Sequence, residues 1–243
     1  MQPLILEGNP PLEVRLRRSA SARRLSLRVS RLDGTVTLSM PRWAPRRAAL
    51  EFAREREGWI RRQIARCPPP IRVGIGAEIP FEGRMLPVLA VDVEAACIRE
   101  GAVLVPERSG RAGMRVAALF RDLARRRLVA ACDGYAPLLG RRAAQISLRD
   151  PRSRWGSCSD RGRLMFSWRL IMAPPEVLDY VAAHEMAHLC EMNHSPAFWA
   201  LVERISPGFR ASRRWLRDNA ALLHAYRFED REQGRAVDSP ARP

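Results

Sequence analysis

The chain has 243 residues, 47% of them hydrophobic, and a formal net charge of +16, which supplies a core for one large domain or two small ones and excludes a wholly disordered protein. Its opening, Met1-Gln2-Pro3-Leu4-Ile5-Leu6-Glu7, meets an acid before any apolar run develops, which argues against a secretory signal, and no stretch reaches the roughly 18 apolar residues of a membrane span. The five cysteines are odd in number, scattered and without a C-x-x-C pair, so they read as reduced thiols and the predicted location is cytoplasmic.

Residues 12–40 alternate polar and apolar in strand fashion, through Leu12–Arg17, Leu25–Val29 and Thr35–Met40, with Asp33-Gly34 as a hairpin signal between the last two. The pattern predicts an antiparallel meander with arginines on its exposed face. Pro45 opens a predicted helix that runs to about Arg66 and is ended by Cys67-Pro68-Pro69-Pro70. Short strands return between Gly76 and Pro106, and Ser109-Gly110-Arg111-Ala112-Gly113 reads as a hinge-like break. A long amphipathic helix follows from about Met114 to Cys132, with Leu119, Phe120, Leu123 and Leu128 inward and Arg121, Arg125, Arg126 and Arg127 outward. Two strands, Gln145–Arg149 and Leu164–Leu170, bracket a polar loop at residues 153–159 that holds Trp155. A helix from Pro196 to Ile205 and a last amphipathic helix through Trp215, Leu216, Leu222 and Leu223 complete the core, with a disordered tail expected from Glu229 onward.

The excess charge lies upstream. Residues 1–66 hold 15 arginines against 6 acids and residues 111–175 hold 14 against 4, while the remaining segments are near neutral. All 42 basic residues are arginine, a pattern that coding bias alone can produce. Such a surface attracts polyanions, so non-specific nucleic-acid binding is a candidate property, although no recognised binding motif accompanies the charge.

Between these helices lies the stretch that carries chemistry. The segment Glu176–Leu189 is apolar on nearly every side, the signature of a buried helix, and it contains His184-Glu185-Met186-Ala187-His188. At about 100° per residue, positions i and i+4 fall about 40° apart, so His184 and His188 can address one ion. Glu185 beside them has the position of a general base, which is the H-E-x-x-H arrangement of zinc peptidases. A catalytic zinc takes three protein ligands and keeps one position open. His194 is the preferred third ligand, since Asn193 can end the helix, Ser195 can cap another and Pro196 suits its first turn. Glu191 and Glu203 are the other candidates, and Cys190 reads as packing. Three of the four histidines thus fall within residues 184–194, and the fourth, His224, reads as a surface residue favoured by a helix dipole.

The motifs Arg154-Trp155-Gly156-Ser157-Cys158, Trp168-Arg169-Leu170, Tyr180-Val181, the H-E-x-x-H helix, Met192-Asn193-His194-Ser195 and Phe198-Trp199 occur in an order that resembles the YgjP-like metal-dependent hydrolases, relatives of the SprT-type and WLM zincin metallopeptidases. The resemblance is dense from Gln145 to Trp199 and extends in outline to the N-terminal half. It departs at Ser167, where many relatives carry asparagine. It implies an α+β fold: an antiparallel β-rich part with one helix at residues 1–110, a mainly helical zincin-like catalytic part at 111–228 around the buried H-E-x-x-H helix, and a tail at 229–243. It implies one Zn2+ per chain held by His184, His188 and His194, with Glu185 as catalytic base; it does not supply the substrate, which the mechanism itself points to as a protein or peptide.

The reaction so expected is hydrolysis of a peptide bond by water that Glu185 activates. An oxyanion donor is also needed, and Arg154 is the first candidate because the resemblance brings its motif near the site. Tyr180, one turn before His184, is the second. Salt bridging for Arg154 and core packing for Tyr180, Trp155 and Trp168 are the plainer readings. Two rivals stand beside the hydrolase: a basic nucleic-acid-associated protein, including a DNA-linked SprT-like protease, and a structural zinc protein with no use for Glu185.

Overall fold

A computed structural model describes residues 2–107 and 110–229, and the tail predicted at 229–243 lies outside them except for Glu229. It is a mixed α+β structure in two compact units, Met1–Pro70 with Ala220–Ala225 and Ile71–Asn219 with Tyr226–Pro243. The division falls at Pro70, whereas the sequence suggested residue 110. The strands between residues 71 and 110 group with the second unit because they pack on its long helix.

The first unit is a four-stranded sheet covered on one face by two helices. Its strands are β1 (Leu4–Leu6), β2 (Leu12–Ser19), β3 (Ser26–Val29) and β4 (Val36–Pro41), in spatial order β1-β2-β4-β3. The predicted meander is corrected here: β2 runs parallel to β4, and β3 reaches the edge before the turn at Asp33-Gly34 returns the chain antiparallel into β4. Gly34 has φ +68, the left-handed backbone such a turn asks of its glycine. The single helix predicted from Pro45 to Arg66 is two, α1 (Arg46–Glu55) and α2 (Glu57–Ile64), broken at Arg56 with φ −107. Their Ala49, Ala53 and Ile60 close over Leu6, Val14, Leu38 and Met40. Alternation along β2 sends Val14 inward and Arg15 outward, so the uncovered face is polar and basic.

The second unit is organised on α3 (Ala112–Leu139), 28 residues and longer than predicted at both ends. Before it come β5 (Ile71–Arg72), β6 (Glu78–Phe81), β7 (Arg84–Val91), β8 (Cys97–Arg99) and β9 (Ala102–Pro106), the last four forming a sheet in the order β6-β7-β9-β8. Gly113 has no room for a side chain: an added Cβ would meet the carbonyl oxygens of Val73 and Phe228 at 2.6 and 2.8 Å. After α3 come β10 (Gln145–Arg149), β11 (Gly156–Cys158) and β12 (Arg163–Ser167), in the order β10-β12-β11. The strand predicted over 164–170 stops at Ser167, and Trp168–Met172 form a 3-10 turn whose five residues are all buried. There Arg169 donates to both oxygens of Asp150 at 2.7 and 3.0 Å and to the Tyr226 carbonyl at 3.0 Å. The chain ends through α4 (Pro175–Ala187), α5 (Pro196–Ile205), α6 (Phe209–Ala225) and β13 (Tyr226–Arg227). No described helix is long and apolar enough to cross a membrane.

His224, predicted at the surface, is 5% exposed, because the whole run from Leu223 to Tyr226 is enclosed. Cys190, predicted to pack, is exposed.

Candidate metal centre

Pro175 supplies the first residue of α4, and nine of the thirteen residues of this helix are buried, Glu185 at 6% exposure among them. The helix ends at Ala187. His188 is its C-cap, with φ −64 and ψ −17, so it keeps the helical position that places it above His184. The chain then turns, and Ser195 accepts a hydrogen bond from Phe198 N at 3.2 Å, capping α5 as predicted. That reversal carries His194 back against α4.

The ligand atoms of His184, His188 and His194 all lie within 4.8 Å of one another. Nε2 of His194 is 3.1 Å from Nε2 of His184. Two imidazole nitrogens sharing a tetrahedral zinc at about 2.05 Å sit about 3.3 Å apart, so this pair matches ligation of one ion. His188 Nδ1 faces the Glu191 carbonyl at 3.0 Å, and donating its proton there leaves the Nε2 lone pair for a metal. Burial lowers the His184 pKa to about 3, helped by His188, His194 and Arg213, and burial likewise lowers that of His188. Both are held in the neutral form that ligates. The donor set therefore fits a borderline-soft divalent ion of the zinc type. Nδ1 of His184 is buried without a hydrogen-bond partner, so the carbonyl contact that orients His188 has no counterpart there.

Among the described residues the cluster holds these three histidines and neither Glu191 nor Glu203. Glu203 pairs with Arg210 and accepts from Gly208 N, while Glu191 contributes its backbone carbonyl to His188.

Around the histidines stands an aromatic frame. Phe198, fully buried, has its ring centroid 4.5 Å from that of His188, 4.8 Å from His194 and 4.9 Å from His184. Trp199 stacks on His194 and on Phe209, and Phe209 stacks on Tyr180, which meets His184 edge-on at 5.9 Å. The sequence pointed to Phe198 and Trp199 only as part of a resemblance. Their spacing of four and five residues after His194, at the start of a capped helix, is the signal that could have found them.

A cavity of about 510 Å3 opens over the histidines and is walled by Glu185, Arg154, Gly156 and Cys158. The predicted 153–159 loop thus contains a strand, β11, and that strand lies at the sheet edge against α4. Glu185 packs directly on Gly156, where an added Cβ would meet Oε1 at 2.5 Å, Cγ at 2.6 Å and Cδ at 2.8 Å. Burial raises the Glu185 pKa to about 7, against the opposing charge of Arg154. Arg154 is exposed on the cavity wall, and Tyr180 is 5% exposed inside the aromatic frame. Trp168 is buried in the core edge-on to Phe228, apart from the cavity. Ser167 is fully buried and its hydroxyl makes no hydrogen bond, while its backbone N–H ties β12 to the Trp155 carbonyl at 2.8 Å.

The model of the YgjP-like, metallopeptidase domain family matches residues 23–219. A solved metallopeptidase zymogen, abylysin of Pyrococcus abyssi, is 24% identical over 39% of this chain and 94% of its own, with a TM-score of 0.34, too low to argue a shared fold. No curated protein matches the sequence.

Proposed function

Since this chain belongs to the YgjP-like metallopeptidase family, we propose that it is a zinc-dependent peptidase whose metal is held by His184, His188 and His194 and whose general base is Glu185. The observation that carries the reading is the meeting of the three imidazoles with a buried carboxylate in one cavity. Bound there, the ion would supply Lewis acidity toward a water molecule and toward the scissile carbonyl.

The chain's own groups do the rest. Glu185 takes the proton of the attacking water and returns it to the leaving amine, and a carboxyl poised near neutrality suits both transfers. β11 holds that carboxylate in place through the contact at Gly156. Arg154 presents a guanidinium to the cavity that can balance charge on the carbonyl oxygen as the carbon becomes tetrahedral. Tyr180 stands in the frame of His184, so orientation of that ring is its better supported role. Phe198 stacks on the ring of His188 and Trp199 on that of His194, which fixes the orientation of these imidazoles.

The test is metal content by mass spectrometry, with cleavage of a labelled unfolded protein, on wild type, His194→Ala and Glu185→Gln. About one zinc per wild-type chain is expected, with His194→Ala losing it. Glu185→Gln should keep the metal and lose hydrolysis by a factor of about 10² to 10⁴. Full hydrolysis by Glu185→Gln would overturn the assignment of the base and favour a structural ion.

A further inference from the structure

The first unit carries a surface that the peptidase reading does not use. It holds 15 arginines against 6 acids, and its helices cover only one face of the sheet. The strand register fixes what the other face presents. Arg15, Thr37 and Arg28 form one row across β2, β4 and β3, and Arg17, Ser39 and Ser26 form the next. All three arginines are exposed. Four of the six acids are paired locally: Glu13 with Arg15 at 3.6 Å, Glu51 with Arg47, Glu55 with Arg56 and Glu57 with Arg61. Among the described residues Arg17 and Arg28 have no carboxylate partner.

Two residues beyond Ser39 the chain leaves β4 into Arg42 and Trp43. The Arg18 guanidinium donates to the Arg42 carbonyl, tying β2 to this loop. Trp43 is 79% exposed, well above the other exposed large apolar side chains among the described residues. A bare indole four residues along the chain from Ser39 is costly to leave in water, and a merely solvated basic face has no need of one.

We propose that this sheet face binds single-stranded nucleic acid, with phosphates on Arg17, Arg28 and Arg15 and a base stacked on Trp43. Guanidinium groups take phosphate oxygens two at a time, and hydroxyls such as Ser39 and Thr37 add neutral donors. Aromatic stacking combined with a basic track recognises unpaired strands whatever their sequence, because every base offers a π-face. A duplex keeps its bases stacked and could use the arginines alone. An acidic polypeptide would likewise leave Trp43 idle. The assignment stands independently of the metal centre.

The test is fluorescence anisotropy of a labelled single-stranded 12-mer against the full-length protein, across a salt series. The variants are Trp43→Ala, Arg17→Ser with Arg28→Ser, and Arg47→Ser as control, since Arg47 lies on α1 and pairs with Glu51. Thermal melts check that each variant is folded. Trp43→Ala should weaken binding about tenfold at constant salt slope. The double arginine variant should weaken it and flatten the slope of log K against log salt by about 1.4. Arg47→Ser should bind as wild type. Equal loss in all three variants would reduce the effect to bulk charge and overturn the proposal. So would wild-type binding by Trp43→Ala, or equal affinity for the matching duplex or for polyglutamate.

Discussion

Replacing Gly156 by alanine separates the role of the proposed base, Glu185, from that of the three histidines. The backbone at Gly156 is not left-handed, so the substitution introduces no conformational strain and acts through volume alone. The new methyl would fall 2.5 Å from Glu185 Oε1 and 2.6 Å from Cγ. Ordinary contact begins near 3.4 Å, so the side chain or the strand must give by about 0.8 to 0.9 Å. An end-of-chain oxygen could swing aside, but Cγ moves only if χ1 of a residue 6% exposed in a packed helix changes. A misplacement of about 1 Å at a reacting group costs on the order of 10²-fold in rate. Gly156→Ala should therefore retain its zinc while its kcat on a peptide substrate falls by about 10²-fold. Metal analysis and steady-state kinetics on one preparation give both numbers. A kcat within about twofold of wild type, with zinc retained, would refute the reasoning, because a base that tolerates that shift is not held by β11.

Phe198→Leu removes the ring against which all three imidazoles pack, and chelator competition should show zinc affinity falling by about tenfold, while the void left in the core lowers the apo melting temperature by only a few degrees. Asp150→Ala leaves the Arg169 guanidinium, 6% exposed, with only its remaining contacts. Loss of such a partner costs about 3 to 5 kcal/mol when fully buried, and the 39% side-chain exposure of Asp150 brings the expectation to about 2 kcal/mol, a fall of roughly 4 to 8 °C in a thermal melt. Cys132 is 2% exposed and burial raises its pKa to about 12 from an ordinary 9.0. Its proton thus favours the fold below pH 9, and that contribution is lost as pH rises from 9 toward 12. Iodoacetamide near pH 8 should label exposed Cys190 first and leave Cys132 unmodified in the folded protein, as peptide mass mapping would show.

The clustering of the three histidines was legible because its signals are local. A helix fixes the i and i+4 relation of His184 and His188 without reference to the rest of the fold, and Ser195-Pro196 announces the next helix and so the turn that returns His194. The hairpin at Asp33-Gly34 was legible for the same reason. What the sequence hid depends on contacts made at long range. Nothing in the alternation of residues 12–40 distinguishes a meander from the parallel β2–β4 pairing, since both bury the same side chains. Gly156 looks like loop flexibility until α4 is laid against it, and Arg56 is an ordinary helix former at which tertiary packing nonetheless breaks the chain into two helices.

Three clustered imidazoles with no fourth protein donor among the described residues are the arrangement's most informative chemical property. A structural zinc is closed by four protein donors, and among the described residues no carboxylate or thiol joins the three imidazoles, Glu203 being paired with Arg210. The remaining direction from the histidines leads into the cavity, and the acid that borders it is Glu185. That carboxylate is kept nine-tenths from solvent, and burial, the largest influence on it, makes its charged form costly. Placing an ionisable group there raises the energy of the fold unless it serves another end, and a glutamine of the same shape would avoid the cost. Glu185→Gln should accordingly hold the fold as well as wild type or better in the apo protein. A lower melting temperature for that variant would mean that Glu185 is retained for stability, and would remove the energetic argument for its catalytic role.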